Sequence, residues 1–184
     1  MKSQEPFTFR HIFNVDIANI KSIVQGFEDE WNLDVSRQET FENHKLTKTF
    51  FLSDYPLEWK IGDPYAGSIR DPESDLWKSI EPIVLFLENL YNGRVGRVML
   101  PKLMAHGNIQ KHVDAGDYLD VVRRHHIPIV THESVMFGVD GRSLNMKEGE
   151  LWEINNMLPH SVENPSDIDR VHLMIDIIPQ AFLG

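Results

Sequence analysis

Residues 121–146 read "VVRRHHIPIVTHESVMFGVDGRSLNM", and whether they form strands or helix decides the fold. The stretch is rich in Val and Ile, which suit a pleated surface, and is punctuated by Pro, Asp and Gly. In "VMFGVDGRSLNM" the pair Asp140-Gly141 predicts the tip of a hairpin, since both residues tolerate the left-handed backbone of a two-residue turn. Outward from this hairpin the same pattern repeats. "RVGRVMLPKLMAHG" at 94–107, "GELWEIN" at 149–155 and "DRVHLMIDIIP" at 169–179 are further short strands bounded by Gly, Asn, Asp or Pro.

Upstream the period changes from two to that of a helix. In "DIANIKSIVQGFEDEW", Ile17, Ile20, Ile23, Val24, Phe27 and Trp31 recur at helical spacing after Asp16 as a cap. "DPESDLWKSIEPIVLFLENLYNG" opens with Asp71 as N-cap and Pro72 in the first turn. It turns Leu76, Trp77, Ile80, Val84, Leu87 and Tyr91 inward and closes on Asn92-Gly93. Pro82 predicts a kink or a division of this helix. Residues 35–70 are polar with scattered aromatics ("TKTFFLSDYPLEW"), which predicts one or two short strands joined by long loops. Helices followed by short antiparallel strands predict an α+β, mainly β chain. Its residues 94–180 close into a jelly-roll core, and 1–93 form a helical and mixed support packed outside, within a single domain.

Composition removes several function classes. A net charge of −10, with no basic run longer than Arg123-Arg124, repels phosphate backbones, so nucleic acid is not an expected partner. The absence of cysteine leaves His, Asp and Glu as the available metal ligands. The start, "MKSQEPFTFR", lacks a secretory apolar stretch, and the longest apolar run, "IVLFL" at 83–87, is too short to cross a bilayer. The expectation is a cytoplasmic protein without membrane partners; its oligomeric state stays open.

One constellation carries chemistry. In "KHVDAG", His112 and Asp114 point to the same side if the stretch is extended. With 9 His and 28 acidic residues, about one H-x-D/E match arises by chance, so the pair alone reads first as a surface loop. His160 follows 48 residues after His112 in the Pro- and Asn-rich turn "NNMLPHSVENP", and Arg170 begins the last strand ten residues later. On that strand Arg170, His172 and Met174 share one face. Two imidazoles and one carboxylate on one face of Fe(II) leave three positions open, the donor set of non-haem oxygenases. A chelating 2-oxo acid such as 2-oxoglutarate would place its far carboxylate against a buried cation, and Arg170 suits that role. Taken singly, His160 is more often an ordinary turn histidine, and Arg170 more often a surface partner for Asp167 or Asp169. His106, His125, His132 and His172 read first as structural residues, and Trp59, Trp77 and Trp152 as core or rim. Arg97, Lys102, Arg123 and Arg142 are either solvated or available to a substrate carboxylate.

The order H-x-D, distal His, then Arg, with "EGELWEINNMLPHSVEN" leading into "DRVHLMIDIIP", resembles the aspartyl/asparaginyl β-hydroxylase family of 2-oxoglutarate- and Fe(II)-dependent dioxygenases, which includes bacterial proline hydroxylases. The resemblance spans roughly residues 95–180. It implies a double-stranded β-helix, with His112, Asp114 and His160 as iron ligands and Arg170 on the distal carboxylate of 2-oxoglutarate, O2 being the other co-substrate. "RRHHIPI" is similar to the family's R-x-H strand and implies co-substrate contacts from Arg124 and His126; the doubled Arg and His leave the register open by one residue. Animal peptidyl-aspartate hydroxylases of the family have glycine in place of the ligand carboxylate. Asp114 therefore resembles the bacterial free-amino-acid branch, and the implied substrate is an amino acid or a peptidyl Asp/Asn residue. Two other readings remain open: a metal-dependent cupin-type isomerase or epimerase, and a non-enzymatic jelly roll with a structural metal.

Overall fold

β-Branched residues crowd a helix and fit a pleated sheet, and the chain from Gly93 onward follows that preference. The computed structural model of the protein describes residues 7–33, 46–56 and 58–184. In chain order the strands are β1 (Phe9–Asn14), β2 (Thr47–Asp54), β3 (Ser68–Ile69), β4 (Gly93–Leu103), β5 (Asn108–His112), β6 (Arg123–Val130), β7 (Met136–Val139), β8 (Arg142–Leu144), β9 (Glu150–Ile154), β10 (His160–Glu163) and β11 (Arg170–Pro179). The α-helices are α1 (Ala18–Gln25), α2 (Asp75–Tyr91) and α3 (Asp117–Val121). A seven-stranded sheet, ordered β1-β9-β6-β11-β4-β2-β3, faces a four-stranded sheet, β5-β10-β7-β8, and the paired strands run antiparallel. This is a double-stranded β-helix.

Side-chain alternation on β11 shows how the two faces divide. Val171, Leu173, Ile175 and Ile177 pack outward with Ile20 and Val24 of α1 and with Trp77, Ile80, Val84 and Leu87 of α2. Each such fully buried aliphatic contributes about 1.5–3 kcal/mol. Arg170, His172, Met174 and Asp176 lie on the opposite face, toward the space between the sheets. There Leu103, Val135, Phe137, Val139, Ile154 and Val162 form a second core. A third, aromatic cluster, including Tyr55, Trp59, Tyr118 and Val122, closes one end of the sandwich.

The predicted hairpin is present. Val139 pairs with Arg142 across Asp140 (φ 49°) and Gly141 (φ 78°), both left-handed as a tight primed turn requires. The helix boundaries differ from expectation. α2 begins three residues later than the Asp71-Pro72 signal: Ser74 is the cap, accepting from the Trp77 amide, while the Asp71 side chain closes its own turn on the Glu73 amide. It runs through Pro82 without dividing and ends on left-handed Asn92. α1 stops at Gly26, and the predicted continuation to Trp31 is a separate 3-10 turn, Asp29–Asn32. Asp16 still accepts from the Ala18 amide.

The amino-terminal support is more β than expected. β1 has no forecast and extends the large sheet beyond β9, while β2 extends it beyond β4. Residues 35–45 of the predicted loops, and residues 1–6 of the start, lie outside the described residues. Trp59 and Trp77 are buried core residues. No helix among the described residues is long and apolar enough to cross a membrane.

Candidate metal centre and the pocket behind it

His160 is not in a turn: it is the first residue of β10, where it sits directly across from His112, the last residue of β5. The two ring centroids are 4.3 Å apart. In each ring Nδ1 faces a carbonyl two residues back, His112 to Gln110 O at 2.8 Å and His160 to Leu158 O at 3.0 Å. A carbonyl accepts only, so each Nδ1 carries a proton and Nε2 is the nitrogen left to act as a donor atom. Both Nε2 atoms approach the same oxygen of Asp114, Oδ1, at 3.8 and 4.0 Å. One donor atom from each of the three residues lies within 4.8 Å of the others. The donor set, two pinned imidazoles and one carboxylate without a fourth protein ligand among the described residues, fits an Fe(II) with open positions.

Asp114 lies past the end of β5, with its amide donating to Asn156 O at 3.3 Å. Gly116, at φ 116°, lets the chain reverse into α3 directly after it. Burial opposes ionisation of Asp114. Arg124 and the two imidazoles outweigh it, so the carboxyl titrates below its ordinary value. Burial lowers His160, keeping the ring neutral and able to ligate, although Asp114 pulls the other way.

Arg170 lies deeper, at 2% exposure. Its Nη2 donates to Nδ1 of His172 at 2.7 Å, and its guanidinium lies 5.8 Å from the Phe137 ring centroid. Burial together with the neighbouring Arg170 charge holds His172 well below its ordinary pKa, so its Nδ1 is a free acceptor for that bond. His126 sits beside it, 5.6 Å from His172 and 5.2 Å from Phe137 between ring centroids. Arg170 Nε and His126 Nδ1 are buried without hydrogen-bond partners. Among the described residues no carboxylate pairs with Arg170, and burial pushes its pKa down to about 9. A buried cation with an orphaned donor has the chemistry of a receptor for an anionic group.

The surface reading of Arg170 is overturned. Asp169 instead pairs with Lys102 at 3.6 Å and Asp167 with His106 at 3.0 Å. On strand β6, Arg124 and His126 face the space between the sheets, while Arg123 and His125 face the helices. Arg124 is tied to Asp114 and Asp176. Among the other candidate cations, Arg123 pairs with Glu153 at 3.1 Å, Lys102 stacks on Trp31, Arg142 is exposed, and Arg97 lies 4.7 Å over the Tyr118 ring. His132 is exposed and bonded to Ser134. Asp176, Tyr118, Asn156 and Phe137 go unnoticed in the sequence. Asp176 had a signal, as a charge in an apolar strand on Arg170's face; the others had none.

His125 has a separate consequence. It is fully buried, with Nδ1 against Ile175 O at 3.2 Å and its ring 5.1 Å from Tyr91. Burial pushes its pKa down to about 4, with Glu153 and Asp176 opposing and Arg123 assisting. Below about pH 6.5 the unfolded chain takes up a proton that the folded state refuses until about pH 4. Stability is therefore full above pH 6.5 and falls toward pH 4, by about 3 kcal/mol from this residue. Melting curves at pH 7 and 4.5 should show a smaller acid-induced drop in Tm for His125→Gln than for the wild type.

The sequence profile of the aspartyl/asparaginyl β-hydroxylase family matches residues 66–179, which takes in α2 as well as the strands from β4 to β11. No curated protein sequence matches the chain significantly. Among solved structures, the viral collagen prolyl hydroxylase of Paramecium Bursaria Chlorella virus-1, in its 2OG complex, superposes with a TM-score of 0.62 at 8% identity, covering 94% of this chain and 96% of that one. A 2OG-Fe(II) oxygenase family oxidoreductase from Burkholderia pseudomallei gives 0.54 at 12% identity, over 75% and 70% of the two chains. AviO1 from Streptomyces viridochromogenes Tue57 gives 0.56 at 10% identity, over 96% and 92%. At such identities the likeness speaks to the fold alone, whereas the profile match covers more than half of the chain: it belongs to the aspartyl/asparaginyl β-hydroxylase family, and is by class a 2-oxoglutarate-dependent hydroxylase.

Proposed function

We propose that the protein hydroxylates an unactivated C–H bond of a free amino acid or an Asp/Asn-type residue. His112, Asp114 and His160 would hold Fe(II), and Arg170 the distal carboxylate of 2-oxoglutarate. One observation carries this reading: three metal donors converge beside a buried cation that lacks a carboxylate partner among the described residues. Bound there, Fe(II) with 2-oxoglutarate and O2 supplies the oxidising power that turns C–H into C–OH, leaving succinate and carbon dioxide.

The chain's own share is placement. The two carbonyls that hold Nδ1–H leave both Nε2 atoms toward Asp114 Oδ1, so the backbone fixes which nitrogen of each ring would meet the metal. Arg170 offers its fork to a carboxylate, and neutral His172 steadies the guanidinium without competing for the anion. Phe137, nearly parallel to the His160 ring at 6.5 Å and 5.8 Å from the Arg170 guanidinium, lends an apolar wall to both.

Anaerobic titration of Fe(II) into the apo-protein with 2-oxoglutarate tests this. A weak visible charge-transfer band of the chelate is the expected result. Metal binding without the band would overturn the reading.

A further inference from the structure

The family resemblance gives Arg124 to the co-substrate, but its guanidinium is engaged otherwise. Nε and Nη2 form a fork onto Asp176, at 2.8 Å to Oδ1 and 2.8 Å to Oδ2, and Nη1 closes on Asp114 Oδ2. Asp176 is fully buried, and its Oδ2 also accepts from the Tyr118 hydroxyl at 3.1 Å. That hydroxyl in turn accepts from the Arg97 amide at 2.8 Å. Gly96 makes this approach possible, because a Cβ there would lie 2.4 Å from the Tyr118 oxygen.

We infer that Arg124 is a positioning residue for Asp114, held in place by Asp176 and Tyr118, and that it fixes the Asp114 carboxylate to offer a single oxygen to the metal. This rests on the reading of Asp114 as an iron ligand. The two oxygens of Asp114 are already divided. Oδ1 is the oxygen near the Nε2 atoms of His112 and His160, at 3.8 and 4.0 Å, and Oδ2 is taken by Arg124, with Asn156 Nδ2 at 3.5 Å. Rotation of the carboxylate to bind through both oxygens would break a charge-assisted bond in a buried site, which disfavours it. Asp176 has a second use. An isolated guanidinium beside Asp114 would repel a divalent cation, but the bidentate Asp176 neutralises it, so its orientation is kept without opposing the metal. The chain runs from β11 through β6 to the metal loop, with Tyr118 of α3 bracing it from the far side.

The test is a double-mutant cycle on metal affinity, with Mn(II) as probe and calorimetry on the apo-protein. Arg124→Met is expected to weaken Mn(II) binding about 10- to 100-fold, the usual cost of losing a partner of a metal ligand. In an Asp114→Ala background the same substitution should change affinity less than about 2-fold, because the group it positions is gone. A purely structural role would give the same loss in both backgrounds and would overturn the inference. Unchanged Mn(II) affinity with a raised 2-oxoglutarate requirement would also overturn it, returning Arg124 to the co-substrate. Should Arg124→Met fail to fold, Asp176→Asn carries the test. It loosens the fork and unmasks the guanidinium charge, so Mn(II) affinity should fall at least about 10-fold, and no fall would overturn the inference. Asp114→Ala alone separates this from the wider reading: if it leaves Mn(II) affinity unchanged, Asp114 is not a ligand and the proposed function falls first.

Discussion

Replacing Arg170 by leucine is expected to stabilise the ligand-free protein while removing its response to 2-oxoglutarate. The guanidinium is fully buried; its described company is the neutral His172, the Phe137 face and His126, with no carboxylate. Such a charge is desolvated without repayment in the absence of ligand, and an apolar side chain in its place removes that cost. Removing a buried, hydrogen-bonded charge from a binding site costs about 2–5 kcal/mol of affinity, or roughly 30-fold to several thousand-fold. Thermal melts of metal-loaded protein check both halves. Wild type should gain Tm with added 2-oxoglutarate, and Arg170→Leu should start higher and stay flat. If the variant starts lower and still responds to the co-substrate, Arg170 is structural and its assignment is wrong.

His160→Ala is expected to abolish turnover, with product formation lower by on the order of a thousand-fold or more, because one of three donors disappears from a centre with no described substitute. The loss should be visible without catalysis, as a collapse of Fe(II) or Mn(II) affinity and of the anaerobic visible band. The substitution also has a structural cost. His160 is 6% exposed, and the Leu158 carbonyl that its Nδ1–H satisfies would lose that partner, worth about 1–3 kcal/mol. A modestly lowered Tm with metal binding gone is thus the expected pair of results; full metal affinity in a folded variant would remove His160 from the centre.

Much of this was legible in the sequence because it depends on period and on residue type. Alternation along "DRVHLMIDIIP" put Arg170 and His172 on one face, and Asp140-Gly141 marked its hairpin, since both follow from local backbone geometry. What stayed illegible depends on tertiary choice. "RRHHIPI" offers the same residue types in two registers, and only the partners β9 and β11 select one. β1 lacks clean alternation because it is an edge strand half-covered on both faces, and so carries no period-two signal. The α2 start misled because Asp71-Pro72 is a good cap signal that forms its own turn three residues ahead of Ser74. Tyr118 and Asn156 reach the site from a helix and a turn far from either motif, and no spacing rule connects them.

The two faces of β6 carry a last consequence. Its inner face reads Arg124 then His126 and its outer face reads Arg123 then His125, so sliding the strand by one residue would again present an arginine followed by a histidine to each side. Each face also holds a buried carboxylate ready for that arginine, Asp176 within and Glu153 without. The charged pairs, usually the most exacting contacts in an interior, therefore store no information about alignment here. That information falls to the plain end of the strand: Ile127 and Ile129 must reach the helix-side core, and Pro128, which has no amide proton to give, must lie opposite His172 beside the irregularity in β11. In this protein the apolar residues discriminate the correct pairing from its near copy, and the polar ones serve whichever pairing has been chosen.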